Sequence, residues 1–130
     1  MKEKDFQSLF TVWAKRNWKK SAAFELKLTK LKSMPFNKVE RHQLIALYDA
    51  KYLSMFHKIS DMSVGYKPFD CFCLAGAEAY VVVMYYKKGD RKYCYLIDVT
   101  AFRAEEQKSK RKSLTEERAG EIGTKINLRN

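Results

Sequence analysis

Apolar and polar residues recur along this chain with two different periods. Over the first 17 residues the apolar side chains fall at helical spacing, which predicts an amphipathic helix over residues 4–17. The stripe consists of Phe6, Leu9, Phe10 and Trp13. Residues 24–28 alternate instead, and this period of two predicts a strand. Phe24, Leu26 and Leu28 would then face a core, while the residues between them face the other side.

The same reading predicts one more long helix, three more strands and a short final helix. Asn37 and Glu40 have the spacing of a capping box, so we expect a helix over residues 38–55. Strands are predicted at 69–74, 80–86 and 91–99, after a turn-rich link at 59–68. The 80–86 run is apolar throughout, which is typical of a strand buried on both faces. Ser113 and Glu116 form a second candidate capping box.

These elements predict an α/β fold in a single domain. Its centre would be a mixed sheet of four or more strands flanked by helices. Residues 1–104 hold nearly all of the periodic pattern, and residues 105–130 are highly charged. We therefore expect an α/β domain at 1–104 and a C-terminal extension at 105–130 that is helical or partly disordered. The last residues, 123–130, have little to bury and should be loose.

Composition narrows the class of partner. The chain has 130 residues and a formal net charge of +11, from 26 Lys and Arg against 15 Asp and Glu. Such an excess favours a polyanionic partner, because Lys and Arg neutralise phosphates and release counterions. No apolar run approaches the roughly 20 residues of a membrane span. We therefore expect no membrane association. Three cysteines, an odd number, argue against a disulfide framework, so we expect a reducing, cytoplasmic location.

The candidate chemistry begins with Glu25 and Lys27. Two residues apart in a strand, their side chains project from the same face. A carboxylate that holds a divalent cation beside an ammonium that positions water or balances phosphorane charge is what a metal-dependent phosphodiesterase needs. The alternative is an exposed ion pair on an edge strand, which is the commoner reason for this spacing.

A divalent cation at a phosphodiester needs further oxygen ligands, and Asp70 is the best second carboxylate. Asp70 lies at the start of the strand predicted at 69–74, between Phe69 and Cys71. Aspartate is disfavoured inside strands, so its presence there needs a reason. A metal would require it, and so would a hydrogen bond to a turn amide. Asp61 is a weaker candidate in the turn-rich link, and Asp98 is expected to cap the helix that follows it.

The cysteines and histidines offer a zinc site as an alternative. Cys71 and Cys73 would share a strand face, but this spacing is tighter than that of the usual zinc knuckle. Cys94, His42 and His57 are far apart in the chain. We therefore expect the cysteines to belong to the core, and no local signature indicates a cysteine or serine nucleophile.

One stretch of the chain resembles a known family. The segments Ala23–Lys27, Ser33–Phe36 and Glu40–Leu44 resemble the core of RecU-type Holliday-junction resolvases, which belong to the PD-(D/E)XK nuclease superfamily. In that pattern a strand with F-E-x-K is followed by a proline–phenylalanine element and a helix carrying H-Q. The resemblance covers about residues 22–50. It implies a restriction-endonuclease-like fold, a Mg²⁺ or Mn²⁺ cofactor and a homodimer that cuts two strands symmetrically.

The resemblance assigns roles and also has a gap. Glu25 would be a metal ligand, Lys27 the motif lysine, and Gln43 the helix glutamine beside the site. The family places an acidic motif on a strand before E-x-K, whereas here Pro68-Phe69-Asp70 follows it. Either Asp70 enters the site from a neighbouring strand, or the second ligand is missing and the chain only binds DNA. We prefer the first, because residues 65–70 have no other evident role.

The sequence therefore predicts a Mg²⁺- or Mn²⁺-dependent DNA endonuclease, with cleavage of branched junctions suggested by the resemblance. Its catalytic residues would be Glu25, Lys27, Asp70 and Gln43. Basic residues on both sides of the strand would form one phosphate-binding rim: Lys15, Arg16, Lys19, Lys20, Lys30, Lys32 and Arg41. Two other functions remain open, a non-catalytic nucleic-acid-binding module and a basic assembly subunit.

Overall fold

The structure, a computed structural model, describes residues 1–60, 67–89 and 92–129. The helices are α1 (Glu3–Asn17), α2 (Arg41–Tyr52), α3 (Val99–Lys108) and α4 (Glu116–Ile122), with a 3-10 turn at Phe36–Lys38. The strands are β1 (Ala22–Thr29), β2 (Ser33–Pro35), β3 (Ser54–Lys58), β4 (Cys71–Ala75), β5 (Glu78–Tyr85), β6 (Tyr93–Asp98), β7 (Ser113–Thr115) and β8 (Thr124–Asn127). None of the helices in these ranges is long and apolar enough to cross a membrane.

The central sheet has four strands in the order β1-β5-β6-β8. β1 runs parallel to β5, and the other two pairings are antiparallel. The predicted α/β fold, with a mixed four-stranded sheet flanked by helices, is confirmed. β5 is the strand predicted to be buried on both faces, and Val81 through Tyr85 are all buried. It pairs with a strand on each side, so its apolar run leaves no backbone edge exposed.

Helices cover both faces of the sheet and give the protein two core clusters. Phe6, Phe10 and Trp13 of α1 pack against one face, as the helical stripe predicts. Helices α2, α3 and α4 cover the opposite face, where Leu47, Phe102 and Ala119 are buried. Each fully buried large side chain contributes on the order of 1.5–3 kcal/mol to folding. The two layers therefore fix the orientation of every sheet residue between them.

The strand predicted at 69–74 lies outside the central sheet. As β4 it pairs with β3 in a separate two-stranded ribbon, and the first two residues of β3, Ser54 and Met55, fall at the end of the helix predicted over residues 38–55. Phe56 on this ribbon is 70% exposed. The alternating pattern correctly predicted a strand but carries no information on which sheet the strand joins. Asp61 and part of the predicted 59–68 link lie outside the described residues.

Helix α2 begins later than the capping-box spacing predicted. Asn37 lies in the 3-10 turn, and the capping box is formed by Glu40 and Gln43 instead. Phe36 and Val39 are both buried in the core cluster beneath α2. Burial on both sides of Asn37 holds this stretch in a turn, so the helix starts at Arg41.

The C-terminal segment is part of the same folded unit. The predicted boundary between 104 and 105 falls inside α3, and β8 is the fourth strand of the central sheet. Leu128 is buried, and Ile126 packs against the α1-side cluster. The segment 105–130 is highly charged, but its few apolar residues fall where the sheet needs them.

β1 lies at one edge of the sheet, and a lysine covers part of that edge. The side-chain ammonium of Lys38 donates a hydrogen bond to the backbone carbonyl of Leu28. Leu28 is thus paired on the side of the strand that faces away from β5.

A substitution at the junction between α4 and β8 tests whether the C-terminal segment packs closely against the rest of the fold. A Cβ added to Gly123 would lie 2.6 Å from the Leu96 carbonyl oxygen and 2.8 Å from the Ile97 side chain. We expect Gly123→Ala to lower the free energy of unfolding by about 1–3 kcal/mol, because the backbone must shift. Urea unfolding monitored by circular dichroism measures the change.

The matched control is Gly120→Ala, in which the new Cβ meets only Tyr95 at 3.5 Å. Gly120 lies within α4, where alanine is favoured over glycine by roughly 0.5–1 kcal/mol. Equal stability of the two variants would contradict close packing of the C-terminal segment on β6.

Candidate functional site

The candidate site lies on the face of β1 that is covered by α2. Leu26 and Leu28 belong to the core cluster beneath α1, and Phe24 packs against the same cluster. Glu25 and Lys27 alternate with these residues and therefore project from the opposite face. The predicted division of this strand into a charged face and an apolar face is confirmed.

Glu25 is half-buried in a groove between β1 and α2. The groove has a volume of about 330 Å³, and Ala46, Leu47, Met55, His42 and Gln43 line it together with Ala23, Phe24 and Glu25. Within the described chain, the Glu25 carboxylate forms no hydrogen bond and no ion pair within 4.0 Å. Its oxygen lone pairs are therefore not committed to any other described side chain.

The electrostatic environment of Glu25 opposes its negative charge. Burial is the largest effect and raises the pKa of Glu25 above its usual range, although the Lys27 ammonium works in the opposite direction. The carboxylates of Glu3 and Glu40 raise this pKa further, and His42 lowers it. Two other acids thus repel the Glu25 carboxylate, and a cation bound there would offset that repulsion.

Lys27 is the most unusual residue on this face. Its relative exposure is only 8%, yet it makes no hydrogen bond or ion pair with any other residue that the structure describes. The fold covers the aliphatic stem of this lysine, while its Nζ atom is not among the buried polar atoms that lack a partner and so keeps contact with solvent. The nearby carboxylate of Glu25 interacts favourably with its charge. An anionic ligand would supply the missing partner.

The N-terminus of α2 positions the polar side chains opposite Glu25. The side-chain oxygen of Gln43 accepts a hydrogen bond of 2.9 Å from the Glu40 backbone amide. The Glu40 carboxylate lies 3.2 Å from Nδ1 of His42. Because the Gln43 oxygen serves the helix cap, its amide NH₂ is the group left to act on a ligand. The Gln43 NH₂ can donate a hydrogen bond to a phosphate oxygen. It cannot donate one to the Lys27 ammonium, which is itself only a donor.

The structure does not bring Asp70 together with Glu25. Asp70 precedes β4, in the ribbon that is separate from the central sheet. Its side chain is 85% exposed and forms an ion pair of 3.1 Å with Lys67. Met55, on the partner strand of the ribbon, does line the Glu25 groove, but it pairs with Leu74, four residues beyond Asp70.

The predicted basic rim is divided between two ends of β1. Lys15, Arg16, Lys19 and Lys20 precede the strand, whereas Lys30 and Lys32 follow it. Eight strand residues rise by about 26 Å, so these two groups do not form one surface. Arg41, the first residue of α2, lines a different cavity of about 460 Å³ with Tyr48 and Arg103.

The other predicted residues have mixed outcomes. Asp98 caps α3, as expected, by accepting a hydrogen bond of 2.9 Å from the Thr100 amide. Cys94 is a core residue, as expected, and burial raises the pKa of its thiol to about 12. The prediction that Cys71 and Cys73 are core residues is wrong, because both lie on the exposed face of the ribbon. No group of three metal-binding side chains is found among the described residues.

Sequence reasoning did not identify Glu3 or His42 as part of this site. Glu3 lies in the first turn of α1, which packs on the opposite face of the sheet from α2. Its influence on Glu25 depends on the tertiary fold. His42 could have been found, since it directly precedes Gln43 at the start of the helix.

The raised pKa of Glu25 predicts a destabilising charge at neutral pH. Its folded-state pKa lies above the unfolded value, so its contribution to stability is greatest at low pH and is lost as pH rises through the folded pKa. We expect metal-free Glu25→Gln to be more stable than wild type at pH 7. Its advantage should shrink as pH falls, which urea unfolding at several pH values measures.

Glu117→Gln serves as the control, because Glu117 is exposed on α4. This variant should not gain stability between acidic and neutral pH. A Glu25→Gln protein less stable than wild type at pH 7 would instead show that Glu25 holds the fold together.

The chain was compared with protein-family models, with curated proteins and with solved structures. None of the three comparisons finds a match.

Proposed function

We propose that this protein is a Mg²⁺- or Mn²⁺-dependent DNA endonuclease. The observation that carries this proposal is the placement of Glu25 and Lys27 on one face of β1. One is a half-buried carboxylate and the other is the ammonium of a largely buried lysine, and neither has a hydrogen-bond partner within the described residues. Burial opposes the charge of Glu25, and a metal ion with a phosphodiester would give both side chains a partner.

The residues present fit Mg²⁺ better than a cation that needs a complete protein cage. Mg²⁺ commonly keeps several waters and is bound through one or two carboxylates together with substrate phosphates. Glu25 provides a hard oxygen ligand, and the repulsion from Glu3 and Glu40 makes its surroundings attractive to a cation. The absence of a three-ligand cluster in the described ranges is compatible with such a site.

Each side chain has a distinct role in this proposal. Glu25 would hold the metal ion, whose chemistry is to polarise the phosphate and lower the pKa of bound water. Lys27 would position the hydrolytic water or stabilise the negative charge that develops on the phosphate. Gln43 would donate its amide hydrogens to a phosphate oxygen.

The second carboxylate has three candidates. Asp70, the acid predicted from sequence, would have to approach from the ribbon. Glu3 and Glu40 already act electrostatically on Glu25. Variants of the three acids distinguish them, because only loss of the true ligand should remove metal-dependent cleavage.

A nucleic-acid-binding module without catalysis is the second candidate function. The observation that favours it is the net charge of +11, which suits a polyanionic partner whether or not the protein cuts it. Such a module would bind DNA equally well with and without divalent metal ions.

Cleavage assays test the catalytic proposal directly. We expect wild type to cut a labelled four-way junction or linear duplex in Mg²⁺ or Mn²⁺ and not in EDTA. Lys27→Met should lower the cleavage rate by about 100-fold or more, since it removes a group that stabilises developing charge. Glu25→Gln should abolish metal-dependent cleavage. Asp70→Asn, Glu3→Gln and Glu40→Gln identify the second ligand.

The controls are Lys58→Met and Glu117→Gln, which change exposed residues away from the groove. Both should cleave at the wild-type rate. Cleavage that persists in EDTA would disprove metal dependence, and wild type that binds DNA without cutting it would identify the protein as a binding module.

Metal binding can also be measured without any cleavage. Mg²⁺ at 100 times its Kd should raise the free energy of unfolding of wild type by about 2.7 kcal/mol, because it binds only the folded state. Glu25→Gln should lose this stabilisation, and Glu117→Gln should keep it. Thermal unfolding over a Mg²⁺ titration measures the effect, and equal stabilisation of all three proteins would rule out Glu25 as the ligand.

A further inference from the structure

The parallel pairing of β1 with β5 brings two basic segments together. Thr29 pairs with Tyr85, and the Tyr86 amide donates a hydrogen bond of 2.8 Å to the Thr29 carbonyl. Because the two strands are parallel, the segments that follow them leave the sheet at the same end. The residues that follow include four exposed lysines, which we name the carboxyl-edge cluster: Lys30, Lys32, Lys87 and Lys88.

One carboxylate organises this cluster without neutralising it. The Glu116 amide donates a hydrogen bond of 3.1 Å to the Lys32 carbonyl, and the Glu116 carboxylate lies 3.9 Å from the Lys87 ammonium. Tyr95 donates a hydrogen bond of 2.8 Å to the same carboxylate. Glu116 is the only carboxylate that pairs with the cluster within the described residues. Lys30, Lys32 and Lys88 are left without a counterion there.

The basic residues at the other end of β1 have different surroundings. Lys15 and Arg16 lie in the last turn of α1, where cations interact favourably with the helix dipole. Lys20 forms an ion pair of 3.8 Å with Glu78. Lys20 thus has a counterion and Lys15 and Arg16 have a favourable helix dipole, whereas Lys19 has neither among the described residues. This end lies about 26 Å from the carboxyl-edge cluster.

The carboxyl-edge cluster is also connected to the candidate catalytic residues. Lys27 lies in β1 and Lys30 directly follows that strand, so an extended backbone places the two residues about 10 Å apart. Duplex DNA carries one negative charge per roughly 1.7 Å of axis, so a phosphate at Lys27 would have neighbours within reach of the cluster.

We infer that the carboxyl-edge cluster binds the sugar–phosphate backbone of duplex nucleic acid next to the Glu25–Lys27 site. This inference rests on the proposed function for the position of the reacting phosphate. The binding itself is independent of catalysis. Lysine–phosphate contacts of this kind position a substrate without reading its sequence.

Two variants with equal loss of charge test the assignment. The first replaces all four lysines of the cluster with glutamine. The second replaces Lys15, Arg16, Lys19 and Lys20 with glutamine. Fluorescence anisotropy with a labelled duplex in EDTA, over a range of NaCl concentrations, gives Kd and its salt dependence without cleavage. Circular dichroism confirms that both variants fold, as expected for exposed substitutions.

We expect the cluster variant to bind at least about tenfold more weakly than wild type. The slope of log K against log salt should become less steep by up to about 3.6 if all four phosphate contacts are lost. The second variant should bind within about threefold of wild type.

Three results would overturn the inference. Equal loss in the two quadruple variants would show that only net charge matters. Greater loss in the second variant would move the binding surface to the opposite end of β1. A wild-type protein without affinity for duplex would exclude the nucleic-acid partner and favour an acidic protein. Should the quadruple variant misfold, Lys30→Gln/Lys88→Gln replaces it, with Lys15→Gln/Lys19→Gln as the control.

Discussion

The burial of β5 is the constraint on which the rest of the structure depends. Its run of valine, methionine and tyrosine side chains requires an apolar layer on each face and a paired strand on each side. Helix α1 supplies one layer and helices α2 to α4 supply the other, while β1 and β6 take the two flanking positions. Every residue of the candidate site is placed by its relation to this strand.

Because β1 lies at the edge of the sheet, one of its sides is fixed by pairing and the other is open. The inner side of the strand is fixed to β5 along eight residue pairs, so the direction of each side chain is determined. The Glu25 carboxylate nevertheless opens into a groove beside α2. A central strand would have buried this charge completely, and a loop would not have held it beside Lys27. The edge allows a rigid site that a ligand can still reach.

The sequence predicted those parts of the fold that depend on local periodicity. The stripe of α1, the two faces of β1 and the buried run of β5 all follow from residue spacing within one element. The sequence did not predict the pairing of β4 with β3, because an alternating strand looks the same in a ribbon and in a central sheet. β8 was missed because its four residues include only one large apolar side chain, Ile126.

The candidate site divides in the same way. Glu25, Lys27 and Gln43 could be chosen from sequence, since strand alternation and the start of a helix are local features. The influence of Glu3 on Glu25 and the placement of the segments that carry Lys30 and Lys87 at the same end of the sheet arise from contacts between distant parts of the chain. Nearness in sequence was misleading for Lys20 and Lys30, which an intervening strand holds apart.

The hydrogen bond from Lys38 to the Leu28 carbonyl has a consequence for self-association. An edge strand offers unpaired backbone groups to any other extended chain, and a second copy of β1 could add to the sheet there. Lys38 occupies one of these acceptors and places a positive charge beside it. An approaching strand would have to displace that ammonium and meet its charge. This lysine therefore helps to keep an exposed edge from extending into aggregates.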